Sequence, residues 1–253
     1  MLIDTHCHLD AAEFDSDRDA VHAAALAAGV GRIVVPAVAV DSFHRVKISV
    51  ERYPGCVAAY GIHPLCVMQA QESDLAVLRD WLERERPVAV GEIGLDFHVT
   101  DSDPARQEFY LVEQLQLARE FDLPVLLHVR RAIDRILKHL RRIRVPCGIA
   151  HAFNGSRQQA DEFIRLGFKL GFGGAMTFPG STRIRRLAAE LPLTAIVLET
   201  DAPDIPPAWL GGGRNSPAEL PRIASVLAEL RALPADEVAG QCAAAARAVL
   251  PRL

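Results

Sequence analysis

The sequence predicts an α/β protein, a single (β/α)8 TIM-like barrel over residues 1–253 with an extra C-terminal helix. Eight short runs of aliphatic and β-branched residues alternate with longer amphipathic segments, the pattern of βα units around a parallel sheet. The length of 253 residues fits such a barrel, which takes about 250. A doubly wound sheet would show the same alternation, but it would not gather side chains from the ends of so many strands.

The predicted elements follow the chain in order. The strands are Met1–His6, Arg32–Ala37, Cys56–Ile62, Val88–Ile93, Pro124–His128, Cys147–His151, Phe168–Phe172 and Thr194–Glu199. Ser73 and Asp103 are suited to capping first turns, and Pro104 fits a first helical position, where its missing N–H costs nothing. The helices are predicted at Ser16–Ala28, Asp41–Tyr53, Ser73–Arg84, Asp103–Phe121, Arg130–Ile143, Ser156–Leu166, Ser181–Leu191, Ser216–Leu230 and Pro234–Leu250.

Composition limits the classes of protein to which the chain can belong. Its net charge of −4 gives no general attraction to nucleic acid, so such a contact needs a local basic patch. The five cysteines are scattered without CxxC spacing, which favours free thiols in a reducing compartment. No apolar run reaches the roughly 20 residues that cross a bilayer, and no signal sequence is recognisable. We therefore expect a cytoplasmic protein without membrane contact.

Six side chains that can bind metal lie at or near the ends of predicted strands. Two of them, His6 and His8, are two residues apart on the first strand, so both leave the same face, roughly 7 Å apart along it. In a barrel, the C-terminal ends of the strands converge on the catalytic face. A lone HxH pair is more often a hydrogen-bonded core feature, but five strands that each deliver a ligand indicate a metal centre. The six candidates are His6, His8, Glu92, His128, His151 and Asp201.

These ligands suit two divalent cations, and no organic cofactor is predicted. Imidazoles and carboxylates bind Zn, Mn, Co or Ni, and Mg more weakly. Such a pair activates water for hydrolysis, since coordination lowers the pKa of water toward about 7 and supplies hydroxide. Asp201 can also accept a proton from that water, which makes it the expected base. The expected division is His6, His8 and Asp201 on one ion, His128 and His151 on the other, and Glu92 bridging both.

Six motifs occur in order from Ile3 to about Pro217 and cover most of the chain. They are Thr5-His6-Cys7-His8, Gly61-Ile62-His63-Pro64, Gly91-Glu92-Ile93-Gly94-Leu95-Asp96, Leu127-His128, His151-Ala152-Phe153-Asn154-Gly155 and Glu199-Thr200-Asp201-Ala202-Pro203. Together they resemble the TatD-type metal-dependent deoxyribonucleases of the amidohydrolase superfamily. The resemblance implies a TIM-like barrel, a two-metal phosphodiesterase site with the six ligands above, and cleavage of DNA, including from 3′ ends.

Two positions depart from the pattern common in that family. Arg214-Asn215-Ser216-Pro217 stands where the family often has Arg-Asn-Glu-Pro. Arg131 follows Arg130 where a small or acidic residue is common. Both segments are predicted to lie in loops that can touch substrate.

Four further residues are candidates for the rim of the site, each with a structural alternative. His63 can bind a phosphate oxygen or give a proton to the leaving group, or it is a turn residue before Pro64. Asp96, in a predicted loop, and Glu199, on the last strand, can orient a ligand histidine or serve a cap, turn or core hydrogen bond. Arg130 can pair with a phosphate in a bidentate manner, or it is an exposed first-turn arginine.

Other conspicuous residues are assigned structural roles. Cys7 alternates with its histidine neighbours and is expected in the core rather than at the metal. A basic stripe on the fifth helix is expected to be the polar face of an outer helix rather than a surface for DNA. Its members are Arg131, Arg135, Lys138, Arg141 and Arg142. Four histidines without ligand spacing are expected to be solvated, namely His22, His44, His98 and His139.

The leading functional hypothesis is a metal-dependent phosphodiesterase that acts on DNA, with catalytic roles for Asp201, Glu92 and His63. The alternative is a small-molecule metallohydrolase of the same barrel, acting on an ester, lactone, amide or phosphoester. A non-enzymatic metal-dependent scaffold is disfavoured because no ligand is missing. The sequence predicts neither an oligomeric state nor the physiological substrate.

Overall fold

The computed structural model describes residues 1–253 and contains one sheet of eight parallel strands, paired in the order β1 to β8. The sheet curls into a barrel, and its two edge strands meet where the amide of Thr5 donates to the carbonyl of Leu198 at 3.1 Å. The predicted (β/α)8 barrel is therefore confirmed. The strands are β1 (Leu2–Asp4), β2 (Val30–Pro36), β3 (Cys56–Tyr60), β4 (Ala89–Asp96), β5 (Val125–Arg130), β6 (Gly148–Ala150), β7 (Phe168–Phe172) and β8 (Ile196–Leu198).

A helix follows each strand, and one more helix ends the chain. Asp103 caps α4 by accepting from the amides of Ala105 and Arg106 at 2.9 and 3.2 Å, as predicted. Ser73 caps nothing, because it already lies inside α3. The helices are α1 (Arg18–Ala27), α2 (Phe43–Arg52), α3 (Ser73–Glu85), α4 (Pro104–Glu120), α5 (Ile133–Arg142), α6 (Arg157–Arg165), α7 (Thr182–Glu190), α8 (Leu220–Arg231) and α9 (Ala235–Val249).

The extra helix α9 covers the lower end of the barrel. Its buried side chains, among them Ala246 and Val249, share one hydrophobic cluster with inward-facing strand residues such as Ile3, Leu126 and Val197. The larger core, of 56 buried residues, holds the remaining strands against the surrounding helices. Apolar side chains thus close one end of the barrel, and the polar side chains of the candidate site lie at the other end. No helix combines the length and the apolar composition that crossing a membrane requires.

Strands β4 and β5 are longer than predicted, and this changes the position of two site residues. Gly94 has a φ of 152°, and a Cβ there would lie 2.1 Å from the carbonyl oxygen of His128. The absence of a side chain lets the two strands approach and stay paired as far as Asp96 opposite Arg130. Asp96 is therefore the last residue of β4, and Arg130 is the last residue of β5 instead of the first of the following helix. The prediction that Asp96 lies in a loop is wrong.

Candidate metal centre

The C-terminal ends of the strands bring seven side chains with metal-binding atoms into overlapping groups. Within each group, the candidate ligand atoms lie within 4.8 Å of one another. The groups contain all six predicted ligands and also His63, which follows β3. The three groups are His6 with Glu92 and His151, His6 with His8 and Asp201, and His63 with Glu92 and His128.

Glu92 lies at the centre, and its two carboxylate oxygens face different histidines. Its Oε2 lies 3.1 Å from Nε2 of His6 and 3.6 Å from Nε2 of His8. Its Oε1 lies 3.0 Å from Nδ1 of His128 and 3.4 Å from Nε2 of His151. A carboxylate that presents one oxygen to each of two imidazole sets has the geometry of a bridging ligand.

The spacing around Oε2 fits a single cation. Asp201 completes this set, with its Oδ1 3.6 Å from Nε2 of His6 and 3.7 Å from Nε2 of His8. Two ligand atoms of one tetrahedral zinc ion lie about 3.3 Å apart, given bond lengths of about 2.0–2.1 Å. The four distances from the His6 and His8 ring nitrogens to the two carboxylates, 3.1–3.7 Å, are close to that value. These four residues are therefore suited to holding a divalent cation.

Hydrogen bonds around the second set fix which ring nitrogens carry protons. Nε2 of His128 lies 2.9 Å from Oδ2 of Asp96, whose pKa is lowered to about 2, burial being outweighed by its hydrogen bond to His128. The N–H of His128 therefore points to Asp96, and the Nδ1 lone pair faces Oε1 of Glu92 at 3.0 Å. Two acceptors at that distance repel each other, and a cation between them, a proton or a metal ion, removes the repulsion.

His63 has the opposite arrangement of protons. Its Nδ1 accepts from the amide of Leu65 at 3.1 Å, so the ring proton lies on Nε2. That nitrogen is 3.1 Å from Nδ1 of His128 and 3.5 Å from Oε1 of Glu92. Burial lowers the pKa of His63, so the ring is a neutral donor. His63 thus presents an N–H beside the second set, which is the donor role that the sequence analysis expected.

His151 links the two sets. Its ring stacks on that of His6 with centroids 3.9 Å apart, and its Nδ1 lies 3.5 Å from Oε1 of Glu199. Burial opposes a charge on this ring, but the carboxylates of Asp201, Glu92 and Glu199 raise its pKa to about 10. The same Glu199 oxygen accepts from the amide of Ala152 at 2.6 Å, which fixes the segment that carries His151. Glu199 therefore orients a candidate ligand.

The buried carboxyl groups differ in their affinity for protons. Burial alone would raise the pKa of Glu92, but the imidazoles of His6, His63 and His151 hold it well below its usual range. Burial raises the pKa of Asp201 to about 6. Glu92 is thus a permanent anion, while Asp201 exchanges a proton close to neutral pH. The pKa of His6 is lowered to about 3 by burial, so this ring is neutral, as a metal ligand must be.

Backbone and buried side-chain hydrogen bonds hold the first set in place. His6 and His8 lie just beyond β1, where the amide of His8 donates to Ala202 and that of Asp201 donates to His6, both at 2.8 Å. Asp4, fully buried, accepts from the amide and the hydroxyl of Thr200 at 3.0 and 2.6 Å. These bonds tie the segment after β1 to the segment after β8. Three of the candidate ligands are therefore fixed relative to one another.

The segment Arg214-Asn215-Ser216 supports the loop after β8 and is not part of the cleft lining. Asn215 is fully buried, and its Nδ2 donates to the carbonyls of Thr200, Asp204 and Ile205 at 2.7, 2.8 and 3.2 Å. Arg214 binds the carboxylate of Asp17 through two nitrogens. Ser216 accepts from the amide of Ala218 at 3.3 Å in a short 3-10 turn.

The metal centre lies at the floor of an open cleft of about 1560 Å³. Five arginines line the cleft, and both Arg130 and Arg131 are among them. Arg130 lies 4.0 Å from Asp96 and is half exposed. The cleft also contains Asp10, a buried carboxylate that the sequence analysis missed. Asp10 lies in a turn beyond β1, where strand alternation does not apply and no local pattern marks it.

For residues outside the centre, some predictions of burial are confirmed and others are wrong. Cys7 is fully buried, as predicted. His44 and His98 are exposed, but the prediction that all four remaining histidines are solvated is wrong for His22 and His139. These two are buried because each has a partner on another element. Nε2 of His22 lies 3.0 Å from the carbonyl of Pro54, and Nε2 of His139 lies 2.8 Å from Glu108.

The family model described as TatD related DNase matches residues 3–251. The chain belongs to this family. It is 45% identical over 241 residues to an Escherichia coli protein named uncharacterized metal-dependent hydrolase YjjV, with 94% of this chain and 93% of that protein covered. The crystal structure of the E. coli TatD homologue YjjV superposes with a TM-score of 0.95, at 42% identity and with 99% and 98% of the two chains covered.

A second relative has a more specific name. The chain is 35% identical over 237 residues to a Cronobacter sakazakii protein named 3′-5′ ssDNA/RNA exonuclease TatD, with 91% of this chain and 90% of that protein covered. The family resemblance of the sequence is thus confirmed. So is its placement among the metal-dependent hydrolases.

Proposed function

We propose that this protein hydrolyses phosphodiester bonds of DNA with two divalent cations held at the C-terminal end of the barrel. The observation that carries the proposal is the position of Glu92, whose two oxygens face separate imidazole sets. Paired cations are a common device for clamping the attacking and leaving oxygens of a phosphodiester. The relative named as an exonuclease supports nucleic acid as the substrate.

The proposed ligands follow from the distances between the two oxygens of Glu92 and the histidines around it. The mixed imidazole and carboxylate donors suit Zn, Mn, Co or Ni, and Mg more weakly. Cations bound here would polarise the phosphoryl group and lower the pKa of nearby water toward about 7. His6, His8, Asp201 and Glu92 would hold the first cation, and His128, His151 and Glu92 would hold the second.

Two side chains of the site are assigned to proton handling. Asp201 is assigned to accept the proton of the attacking water, because its carboxylate faces the first set, 3.6 and 3.7 Å from the ring nitrogens of His6 and His8. The Nε2–H of His63 donates to a phosphate oxygen or to the leaving oxygen on the other side of the centre. Asp96 orients His128 through its Nε2–H, so that Nδ1 faces Glu92 and His63, where the second cation would be held.

The size of the cleft favours an oligonucleotide over a small ester. Pockets for small molecules are about 300–1,000 Å³, and this cleft of about 1560 Å³ is open and larger. The reactive centre lies at its floor, where one phosphodiester can reach the cations while the flanking nucleotides remain in the cleft.

The test is cleavage of end-labelled single-stranded and duplex DNA by protein loaded with Mn²⁺ or Zn²⁺. We expect cleavage that stops with a chelator and returns when metal is added back. His128→Ala should abolish it, whereas His44→Ala, a change at an exposed histidine outside the cleft, should leave it intact. Intact DNA with the metal-loaded parent protein would refute the proposal, and measurable turnover of a small ester in its place would favour the alternative.

A further inference from the structure

Three arginines line the cleft without any carboxylate partner. Of the five cleft arginines, Arg130 and Arg135 lie near Asp96 and Glu108 at 4.0 and 3.3 Å. The other three have no ion pair. Arg45 and Arg131 are exposed and make no side-chain hydrogen bond, and the guanidinium of Arg183 donates only to the neutral amide oxygen of Asn154, at 2.7 and 3.1 Å. We call Arg45, Arg131 and Arg183 the free arginines.

The free arginines come from three different parts of the barrel rim. Arg45 is on α2, Arg131 lies between β5 and α5, and Arg183 is on α7. Because the strands are ordered sequentially around the barrel, these positions surround the metal centre rather than lie on one side of it. A ligand with a single phosphate cannot span them, whereas a strand with several phosphates that crosses the cleft can.

Arg131 has a backbone conformation that does not suit an arginine. Its φ is 55°, in the left-handed region that disfavours residues with a Cβ. Glycine would adopt this conformation more easily. The side chain makes no contact with another side chain by hydrogen bond or ion pair that would compensate. No side-chain bond within the protein therefore accounts for an arginine here, and its exposed guanidinium is available to a ligand in the cleft.

We propose that Arg45, Arg131 and Arg183 are specificity-determining residues that bind phosphates flanking the scissile bond of a single strand. Guanidinium groups match phosphate in a bidentate geometry, and even Arg183 retains unused N–H donors. This inference rests on the proposed function, since it places the reacting phosphodiester at the metal centre. It adds that the contribution of the flanking phosphates to binding comes from these three residues, not from Lys138, Arg141 and Arg142 on α5.

The test is the salt dependence of binding, because each phosphate neutralised on a single strand adds about 0.7 to the slope of log affinity against log salt. The metal-loaded protein would be titrated against a fluorescent 12-nucleotide phosphorothioate strand, which resists cleavage, at 50 and 200 mM salt. Removing one free arginine should make the loss of affinity between these salt concentrations about 2.6-fold smaller, and removing all three about 18-fold smaller.

Arg131→Gly is the central variant, because it removes the guanidinium and relieves the backbone, so that misfolding does not account for its effect. Arg131→Lys should retain the slope, since the charge remains. Arg142→Ala is the matched control, an exposed arginine at the far end of α5 and outside the cleft; it should behave as the parent. Arg45→Ala and Arg183→Ala complete the set.

Hydrolysis of bis(p-nitrophenyl) phosphate, which has one phosphodiester and no flanking phosphate, separates this proposal from the proposed function. We expect the parent and Arg142→Ala to hydrolyse this compound with the same kcat/KM, and the variants of the free arginines to retain hydrolysis of it, since it lacks the flanking phosphates that they bind. A salt slope of Arg131→Gly equal to that of the parent overturns the phosphate-binding role, even where both substrates are cleaved. Shifted slopes without hydrolysis of either substrate would support the arginine assignment and refute the proposed function alone.

Discussion

Asn215 is the residue whose loss should most directly loosen one side of the metal centre. Its buried side-chain amide donates to three carbonyls of the loop that carries Asp201. Asn215→Ala removes one buried and three partly buried hydrogen bonds, because Oδ1 of Asn215 also accepts from the amide of Ser216 at 2.8 Å. At about 1 kcal/mol for each bond, with the partly buried ones at the lower end, the loss is about 2–3 kcal/mol. For a chain of this size, that corresponds to a Tm lower by about 5–10 °C.

Thermal unfolding of chelator-treated protein, followed by circular dichroism, measures this loss without a contribution from bound metal. Ser216→Ala is the control, since its hydroxyl makes a single 3.3 Å bond to the amide of Ala218. We expect that variant to melt within about 2 °C of the parent. Asn215→Ala should also bind metal more weakly, because Asp201 is no longer held. An unchanged Tm together with unchanged metal affinity would show that the loop is supported by other contacts.

Three further changes test separate parts of the structure. Asp96→Asn should weaken metal binding by about 10–100-fold in a chelator competition, because Asp96 orients His128; equal affinity contradicts that role. Leu126→Ala, under α9, should lower the free energy of unfolding by about 2–5 kcal/mol in urea while cleavage is retained at low temperature. Glu162 has its pKa lowered to about 2 by two arginines, so the stabilisation it provides is complete above its ordinary value of 4.5 and is lost as the pH falls toward 2. As the pH is lowered over that range, the Tm of Glu162→Gln should therefore fall less than the Tm of the parent. An equal fall in Tm for both proteins would contradict the assignment.

The barrel and the convergence of the ligands were predictable because both follow from periodicity. Alternating strands and helices define the order of the elements, and parallel strands in a barrel place their C-terminal ends at one rim. His128 and His151 are therefore brought together although 22 residues of other structure separate them in the chain.

The features that sequence reasoning missed depend on contacts between distant segments. Gly94 looked like a turn signal, but its hydrogen atom makes room for the carbonyl of His128, and β4 continues. Asn215 resembles any loop asparagine until its three carbonyl partners are known. His139 looked solvated because its partner Glu108 is on the preceding helix. In each case the deciding atom belongs to another element, and no local pattern reports it.

The two proposed cation sites are built differently, and this gives Asp96→Asn a second, sharper consequence. The first site is held by backbone bonds between the segments after β1 and β8. The second depends on a side chain, because the tautomer of His128 is set by one hydrogen bond from its Nε2 to Asp96 at 2.9 Å. Asparagine can offer an amide N–H instead of an acceptor, which would turn the ring proton toward Glu92 and block Nδ1.

Loss of Asp96 should therefore remove one tight site and leave the other. Calorimetric titration of the chelator-treated parent with Zn²⁺ is expected to show two tight equivalents, and Asp96→Asn one. Asn215→Ala should show the converse, with the site that contains Asp201 weakened and the His128 site retained. If both variants weakened both equivalents together, the cations would share a single cooperative centre, and the division of ligands by the two oxygens of Glu92 would be wrong.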